Sequence, residues 1–389
     1  MRLRHPDGTL IHLAYGTNVH PAEDFDGLVT QLRRYGGGVR AALGVDRIGL
    51  GLWLPAAAAA ELAGDPGKVE RLRKVLDLHG LEIVTLNAFP YARFHAPVVK
   101  KAVYHPDWSK QSRLDYTLDC ARVLARLLPD DAVRGSVSSV PLGWRSPWYS
   151  DRQEAAREHL DQLADGLAKV AADTGRPVQV GLEPEPGCII ETAADAAERL
   201  AGVDGDYLGV CVDTCHLATG FEDPGEALAT LTAAGLPVVK AQPSAALHAE
   251  SPADPVTRDA LFGFAEDRFL HQVRERHGAR VDARDDLDLA MGGSRPLSGE
   301  HPWRVHFHVP VHVDLEAPLR STRGELVDAL AVLVGGDHPR TDHLEVETYT
   351  WSVLPPGQRP DGEAALIEGL AGELAWVRDR LVEFGLEAA

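Results

Sequence analysis

Between residues 178 and 213 the chain reads VQVGLEPEPGCIIETAADAAERLAGVDGDYLGVCVD. Two short valine-rich runs, 178–183 and 208–213, flank a stretch of helical period at 193–200, which is one strand–helix–strand unit. Working outward, runs of the same kind occur at 12–17, 47–54, 82–86, 135–140, 237–242 and 343–348, giving eight expected strands. Helical patterns fill the intervals at 25–43, 57–78, 112–127, 152–174, 224–234 and 322–334, and a last one at 362–384 closes the chain. Strand and helix alternating eight times predicts an α/β fold, a (β/α)8 TIM barrel, and no GxGxxG follows the first strand to favour a dinucleotide fold. Gly175 with Pro177, and Gly235 with Pro237, mark two of the helix-to-strand turns.

One segment breaks the alternation. From about 245 to 302 there are helical fragments (DALFGFAEDRFLHQVRER) and a Gly/Ser/Pro-rich piece (MGGSRPLSGEHP), followed at 303–314 by WRVHFHVPVHVD, a ninth strand-like run. The expected organisation is a single barrel domain over 1–389 with a long insertion after strand seven, at about 245–302, folding back over the barrel mouth as a lid.

The 389 residues are 44% hydrophobic and 25% charged, an ordinary globular balance that excludes disordered, collagen-like and coiled-coil chains. No apolar run reaches the roughly 20 residues of a membrane span, and no apolar stretch backs the basic N-terminus, so direct membrane insertion is not expected and the cytoplasm is the expected location. Lys plus Arg number 39 and Asp plus Glu 58, a formal charge of −19 that opposes nucleic acid as a partner. The four cysteines, Cys120, Cys188, Cys211 and Cys215, form no CxxC pair and read as reduced core thiols. A homo-oligomer stays open at this point.

In a barrel of this type the reacting groups stand at the carboxyl ends of the strands. Strand five ends in Leu182-Glu-Pro-Glu-Pro-Gly187, strand six in Val212-Asp-Thr-Cys-His-Leu217 and strand eight in Leu344-Glu-Val-Glu-Thr348. Carboxylates from three strand ends meeting on one axis raise one another's pKa, and a divalent cation is the usual compensation. The strand period of two puts Glu183 with Glu185 on one face and Glu345 with Glu347 on another. One of each pair can ligate the metal while the other binds substrate or moves a proton. Asp213 and His216 form a DxxH unit, otherwise readable as a helix cap with an exposed histidine. His306, His308 and His312 share one face if their run is extended, although three ligands from one strand would crowd a single ion. Lys100, Lys101 and Arg93 form a local basic cluster, readable as an anion contact or as a solvated loop.

The run GVCVDTCHLATGFEDP from Gly209, with the LEPEPG and VET strand ends, resembles the xylose-isomerase-like TIM-barrel superfamily of sugar isomerases, ketose 3-epimerases, inosose dehydratases and endonuclease IV. Over nearly the whole chain, Ala14-Tyr-Gly-Thr-Asn-Val-His-Pro21, Asn87-Ala-Phe-Pro-Tyr91 with Phe94-His95, Tyr104-His-Pro-Asp-Trp108, Arg113-Leu-Asp-Tyr116, His306-Phe-His-Val-Pro310 and His343-Leu-Glu-Val-Glu-Thr-Tyr-Thr-Trp351 are similar to the EboE-type metabolite-traffic proteins. These occur in small operons with a prenyltransferase-like membrane protein.

The resemblance implies one divalent ion held by a Glu of strand five, the Asp of strand six, a His of strand seven and a Glu of strand eight. Carried over, these are Glu183, Asp213 and one of Glu345 or Glu347, with Glu347 favoured because a Thr follows it. Strand seven departs from the pattern: Val239-Lys-Ala-Gln-Pro-Ser244 has no histidine, so either Gln242 supplies an oxygen or His308 fills the place, and His308 is favoured. An oxygen-rich set suits Mn²⁺, Mg²⁺ or Co²⁺ before Zn²⁺. The implied reaction is isomerisation or epimerisation of a small polyhydroxylated 2-hydroxy carbonyl compound through an enediolate, with Glu183 and Glu347 moving the proton. His216, Gln242, Asn87, Asn18, His20, Glu185, Glu345 and Ser138 would hold substrate hydroxyls, and Trp53, Tyr91, Trp144 and Trp351 are read first as packing and second as a pocket wall. A non-catalytic metabolite-binding protein and an endonuclease IV-type hydrolase are the competing classes.

Overall fold

The computed structural model describes residues 1–389. Eight parallel strands, β1 (Leu10–Gly16), β2 (Ile48–Trp53), β3 (Leu81–Asn87), β4 (Gly135–Ser139), β5 (Val178–Leu182), β6 (Leu208–Asp213), β7 (Val238–Gln242) and β8 (His343–Val346), pair in sequence order. The sheet closes where β8 pairs β1 from His343 against His12 to Val346 against Tyr15. Each strand is buried along nearly its whole length, as parallel strands covered by helices must be. Arg2–Arg4 adds an antiparallel strand to β1 at the amino end of the barrel.

Helices begin and end where side chains satisfy their free backbone groups. Thr192 and Asp195 form a reciprocal capping box before Ala193–Arg199, and Asp223 caps Pro224–Ala233. Gly175 ends Ser150–Thr174 with φ +68, a left-handed turn that glycine adopts without strain. The stretch expected as one helix over 57–78 is two, Ala56–Gly64 and Pro66–His79, because Asp65 caps the second and Pro66 cannot continue the first.

Glycines set the inner dimensions of the barrel at one place. A side chain at Gly51 of β2 would collide with the Glu345 carboxylate of β8, so that position admits glycine alone while Glu345 points across the barrel.

After β7 the chain leaves the barrel and builds a second, five-stranded antiparallel sheet in the order Arg280–Arg284, Val273–His277, Trp303–Val305, Leu247–Ala249, Leu319–Ser321. It then returns as helix Arg323–Val334. Only Pro255–Phe262 and Leu287–Gly292 are helical in this segment. The fragment QVRER, expected as helix, is a strand that turns at Gly278 (φ +60) and pairs with Arg280–Arg284. The ninth strand-like run shortens to Trp303–Val305, because Phe307 N–H bonds back to Val305 and Val309 N–H turns to Ala245. His312 therefore does not share a face with His306 and His308; it packs against Gly372 and Trp351.

Candidate active site

The carboxyl ends of β5, β6 and β8 bring Glu183, Asp213 and Glu347 together, one oxygen of each within 4.8 Å of the others, all three buried. One neutral group faces them. Gln242, at the end of β7, donates from Nε2 to Glu347 Oε2 at 2.5 Å, Glu183 Oε1 at 3.1 Å and Asp213 Oδ2 at 3.2 Å. Its Oε1 accepts from the Cys211 thiol at 3.1 Å, which fixes the amide's orientation. Two amide hydrogens cannot serve three carboxylates, and Glu183 Oε2 has no partner although it is buried. Burial first, then the charges of Glu347 and Asp213, pushes Glu183 well above the usual carboxylate range. Burial and the charges of Asp213 and Glu345 do the same to Glu347, against hydrogen bonds to its Oε1 from Asn18 at 2.8 Å and Asn87 at 2.9 Å. Asp213 differs. Burial would raise it, but His216 and His308 beside it, and bonds from Ser244 Oγ (2.7 Å) and from His216 N–H (3.0 Å), hold it low.

Three imidazoles stand against this group. His216 Nδ1 lies 2.9 Å from the Pro184 carbonyl, His308 Nδ1 2.8 Å from the Glu347 carbonyl and His306 Nδ1 2.8 Å from Gln272 Oε1. Gln272 Nε2 donates to Tyr104 Oη and the Pro186 carbonyl, so its oxygen is the atom facing His306. An oxygen of this kind only accepts, so each Nδ1 carries the hydrogen and each neutral ring presents a bare Nε2. These bare nitrogens converge, with His216 to His306 at 3.0 Å and His306 to His308 at 3.2 Å. Burial, with neighbouring imidazoles, lowers His306 well below the usual range, and burial lowers His216 to about 4, so this pair resists the proton that would ease its contact. A cation would ease it. Anchoring of the distal N–H on an oxygen is the usual support of a metal-bound histidine. The same atoms make overlapping candidate metal groups: Asp213 with His216 and His308, Glu185 with His216 and His306, and Cys215 with His306 and His308. Glu185 accepts from Tyr104 Oη at 2.7 Å, and burial raises it to about 8.

A cavity opens over these groups, and Asn18, Asn87, Glu183, Glu185, His216, His306 and Glu347 line it. Asp213, Gln242 and His308 are buried beside it. Three residues expected at the site lie elsewhere. Glu345 is fully buried in an ion pair with Lys240 and does not line the cavity, since Gly51 gives it room inside the barrel. His20 lies in a separate small cavity with Trp53, its Nε2 3.2 Å from Tyr15 Oη and its ring stacked on Tyr35. Ser138 is buried at 3.4 Å from Lys240 Nζ. Trp53, Tyr91, Trp144 and Trp351 do not line the cavity, whose aromatic wall is Phe89, Phe94, Tyr104, Phe269 and Tyr349. Lys100 reaches the cavity, but its ammonium is held by Asp286 Oδ2 at 2.6 Å, and Lys101 pairs with Asp285 at 3.1 Å.

A family model for the xylose isomerase-like TIM barrel matches residues 40–256, more than half of the sequence. The chain belongs to this family. Solved structures with the same fold include an L-ribulose 3-epimerase (15% identity, covering 96% of this chain and 96% of that one, TM-score 0.50). D-psicose 3-epimerase with D-tagatose from Clostridium cellulolyticum H10 aligns at 15% identity over 95% of this chain and 99% of its own, TM-score 0.50. A xylose isomerase-like TIM barrel protein from Mycobacterium smegmatis in complex with magnesium aligns at 15% identity over 95% and 98%, TM-score 0.50. At such identity the likeness shows the fold. No curated protein matches the sequence. No helix is long and apolar enough to cross a membrane.

Proposed function

We propose that this chain is a divalent-metal-dependent isomerase or epimerase of a small polyhydroxylated carbonyl compound. The observation that carries the reading is the pair of carboxyls, Glu183 and Glu347, which reach one cavity from different strands and are both held above the ordinary carboxylate range. A carboxyl raised above its ordinary range is suited to take up and release a proton as a general acid or base. One removes the proton from the carbon beside the carbonyl and the other returns it. Asn18 and Asn87, both donating to Glu347 Oε1, hold that carboxyl in position. His216 and Glu185 are placed to receive substrate hydroxyls.

Two sets of residues suit a cation: the oxygens of Glu183, Asp213 and Glu347, and a nitrogen-rich set of Asp213, His216 and His308. Asp213 belongs to both. The oxygen set favours Mg²⁺ or Mn²⁺ and the nitrogen set Zn²⁺ or Co²⁺. When bound, the ion stabilises the negative charge that develops on the substrate oxygens. We place the protein in the cytoplasm, supported by four unpaired, buried thiols.

The narrower assignment to the EboE-type metabolite-traffic group is supported by its motif residues Asn87, Phe94, Tyr104, His306 and Tyr349, all on the cavity wall. A delivery role without turnover is the second reading, and the neutral Gln242 amide amid three carboxylates favours it. Proton NMR in D₂O with a panel of ketoses and inososes separates the two. Deuterium entering beside the carbonyl, and failing to enter in Glu183→Gln, supports the isomerase. Ligand binding with no exchange supports delivery.

A further inference from the structure

Most polar groups of the cavity stand at or just after the strand ends, whereas the loops after β3 and β7 add a run of apolar side chains beside Lys100, Tyr104 and His306. Phe89, Pro90, Phe94 and Val103 come from the loop after β3, and Phe269 and Leu270 come from the segment after β7. Phe94, Phe269 and Tyr349 form a three-ring cluster with centroids 5.0–5.3 Å apart. A free sugar carries a hydroxyl on almost every carbon, and hydroxyls pressed on these walls would lose water without gaining a partner. The one charged side chain among the loop residues, Lys100, already donates to Asp286 Oδ2 at 2.6 Å and to the Glu266 carbonyl at 3.1 Å. Among the side chains lining the cavity no unpaired lysine or arginine is present to receive a phosphate.

We propose that the ligand is a neutral polyol or cyclitol ring bearing an aryl or alkyl substituent, the ring on the strand-end groups and the substituent packed against the wall that Phe94, Phe269 and Tyr349 form. This rests on the reading of the strand ends as the reacting centre, and it specifies the substrate class further. A ring packed on an aromatic wall gains both buried area and favourable edge contacts.

Calorimetric titration with D-glucose, phenyl β-D-glucopyranoside and glucose 6-phosphate as probes tests it. The phenyl glucoside is expected to bind at least tenfold more tightly than D-glucose, with glucose 6-phosphate the weakest. Phe269→Ala is expected to remove that advantage, and Phe269→Leu, which keeps the wall filled, to remove part of it with an unchanged melting temperature. Phenyl glucoside binding no tighter than D-glucose, absent binding of both included, overturns the proposal, as does tightest binding of the phosphate. The same titration on Glu183→Gln keeps the two claims apart. If the wild type shows the phenyl preference but exchanges no proton with any carbonyl compound, the isomerase reading fails and the ligand class stands. If it exchanges protons without the preference, the reverse holds.

Discussion

The two ends of this barrel bury carboxylates in opposite ways. At the amino end, Glu82 of β3 is buried against Arg2, whose Nη2 lies 2.7 Å away, and His12, whose Nδ1 lies 3.6 Å away. Burial alone would raise its pKa, but these partners bring it down to about 2. Midway, Lys240 neutralises Glu345. At the carboxyl end, Glu183, Asp213 and Glu347 share one neutral amide, and three bare imidazole nitrogens face one another. A compensated buried carboxylate stabilises the fold, whereas an uncompensated cluster costs stability and persists where chemistry uses it.

The largest expected effect lies at the uncompensated end. Glu183→Gln or Glu347→Gln should lower proton exchange with substrate by about 10²–10⁴-fold. The melting temperature should stay level or rise, because a buried like charge is removed; a variant that unfolds would break the contrast. Arg2→Ala tests the other end. It removes the nearest cation from Glu82 and leaves Arg47 at 3.8 Å and His12 at 3.6 Å, so denaturant unfolding should show a loss of about 1.5–3 kcal/mol while exchange per folded molecule is unchanged.

Glu373 is an intermediate case, a buried carboxyl behind the end of β8 that no cation meets. Thr348 Oγ1, Trp351 Nε1 and the Val311 N–H donate to it at 2.6, 3.1 and 3.1 Å. Burial raises it from 4.5 to about 7 despite these donors. Between those values the folded state holds a proton that the unfolded state releases. The contribution is therefore full below pH 4.5 and is lost as pH rises to about 7. Relative to Glu373→Gln, the native protein should lose on the order of 2 kcal/mol over that interval in unfolding measured at several pH values. The smallest effect is at Ser244, whose hydroxyl donates to Asp213 Oδ1 at 2.7 Å. Ser244→Ala should weaken divalent-ion binding about tenfold by titration, with the fold intact.

The barrel was legible because eight buried strands are local runs of apolar residues, and the acids at 183, 213 and 347 follow those runs directly. What the sequence hid depends on pairings across the chain. Glu345 and Glu347 are indistinguishable in a strand pattern, and only Lys240 and Gly51, on two other strands, assign Glu345 to the interior. His306 was visible as one of three histidines, but its place against His216 follows from a chain that leaves its ladder at Val305. The second sheet joins residues 247–249 to 303–305 and 319–321, and pairing at that separation leaves no local period. The aromatic wall sits in loops for the same reason, and neither Phe94 nor Phe269 belongs to a repeating pattern.

Metal content measured together with thermal unfolding tests the central claim, that the carboxyl end of this barrel is built around a cation. The account predicts at least one divalent ion per chain in protein purified without chelator. It also predicts a melting temperature that falls on chelation, recovers with added Mn²⁺, Mg²⁺, Co²⁺ or Zn²⁺, and no longer responds to the ion in Asp213→Asn. Protein that carries no ion, and whose unfolding none of these ions shifts, would contradict it.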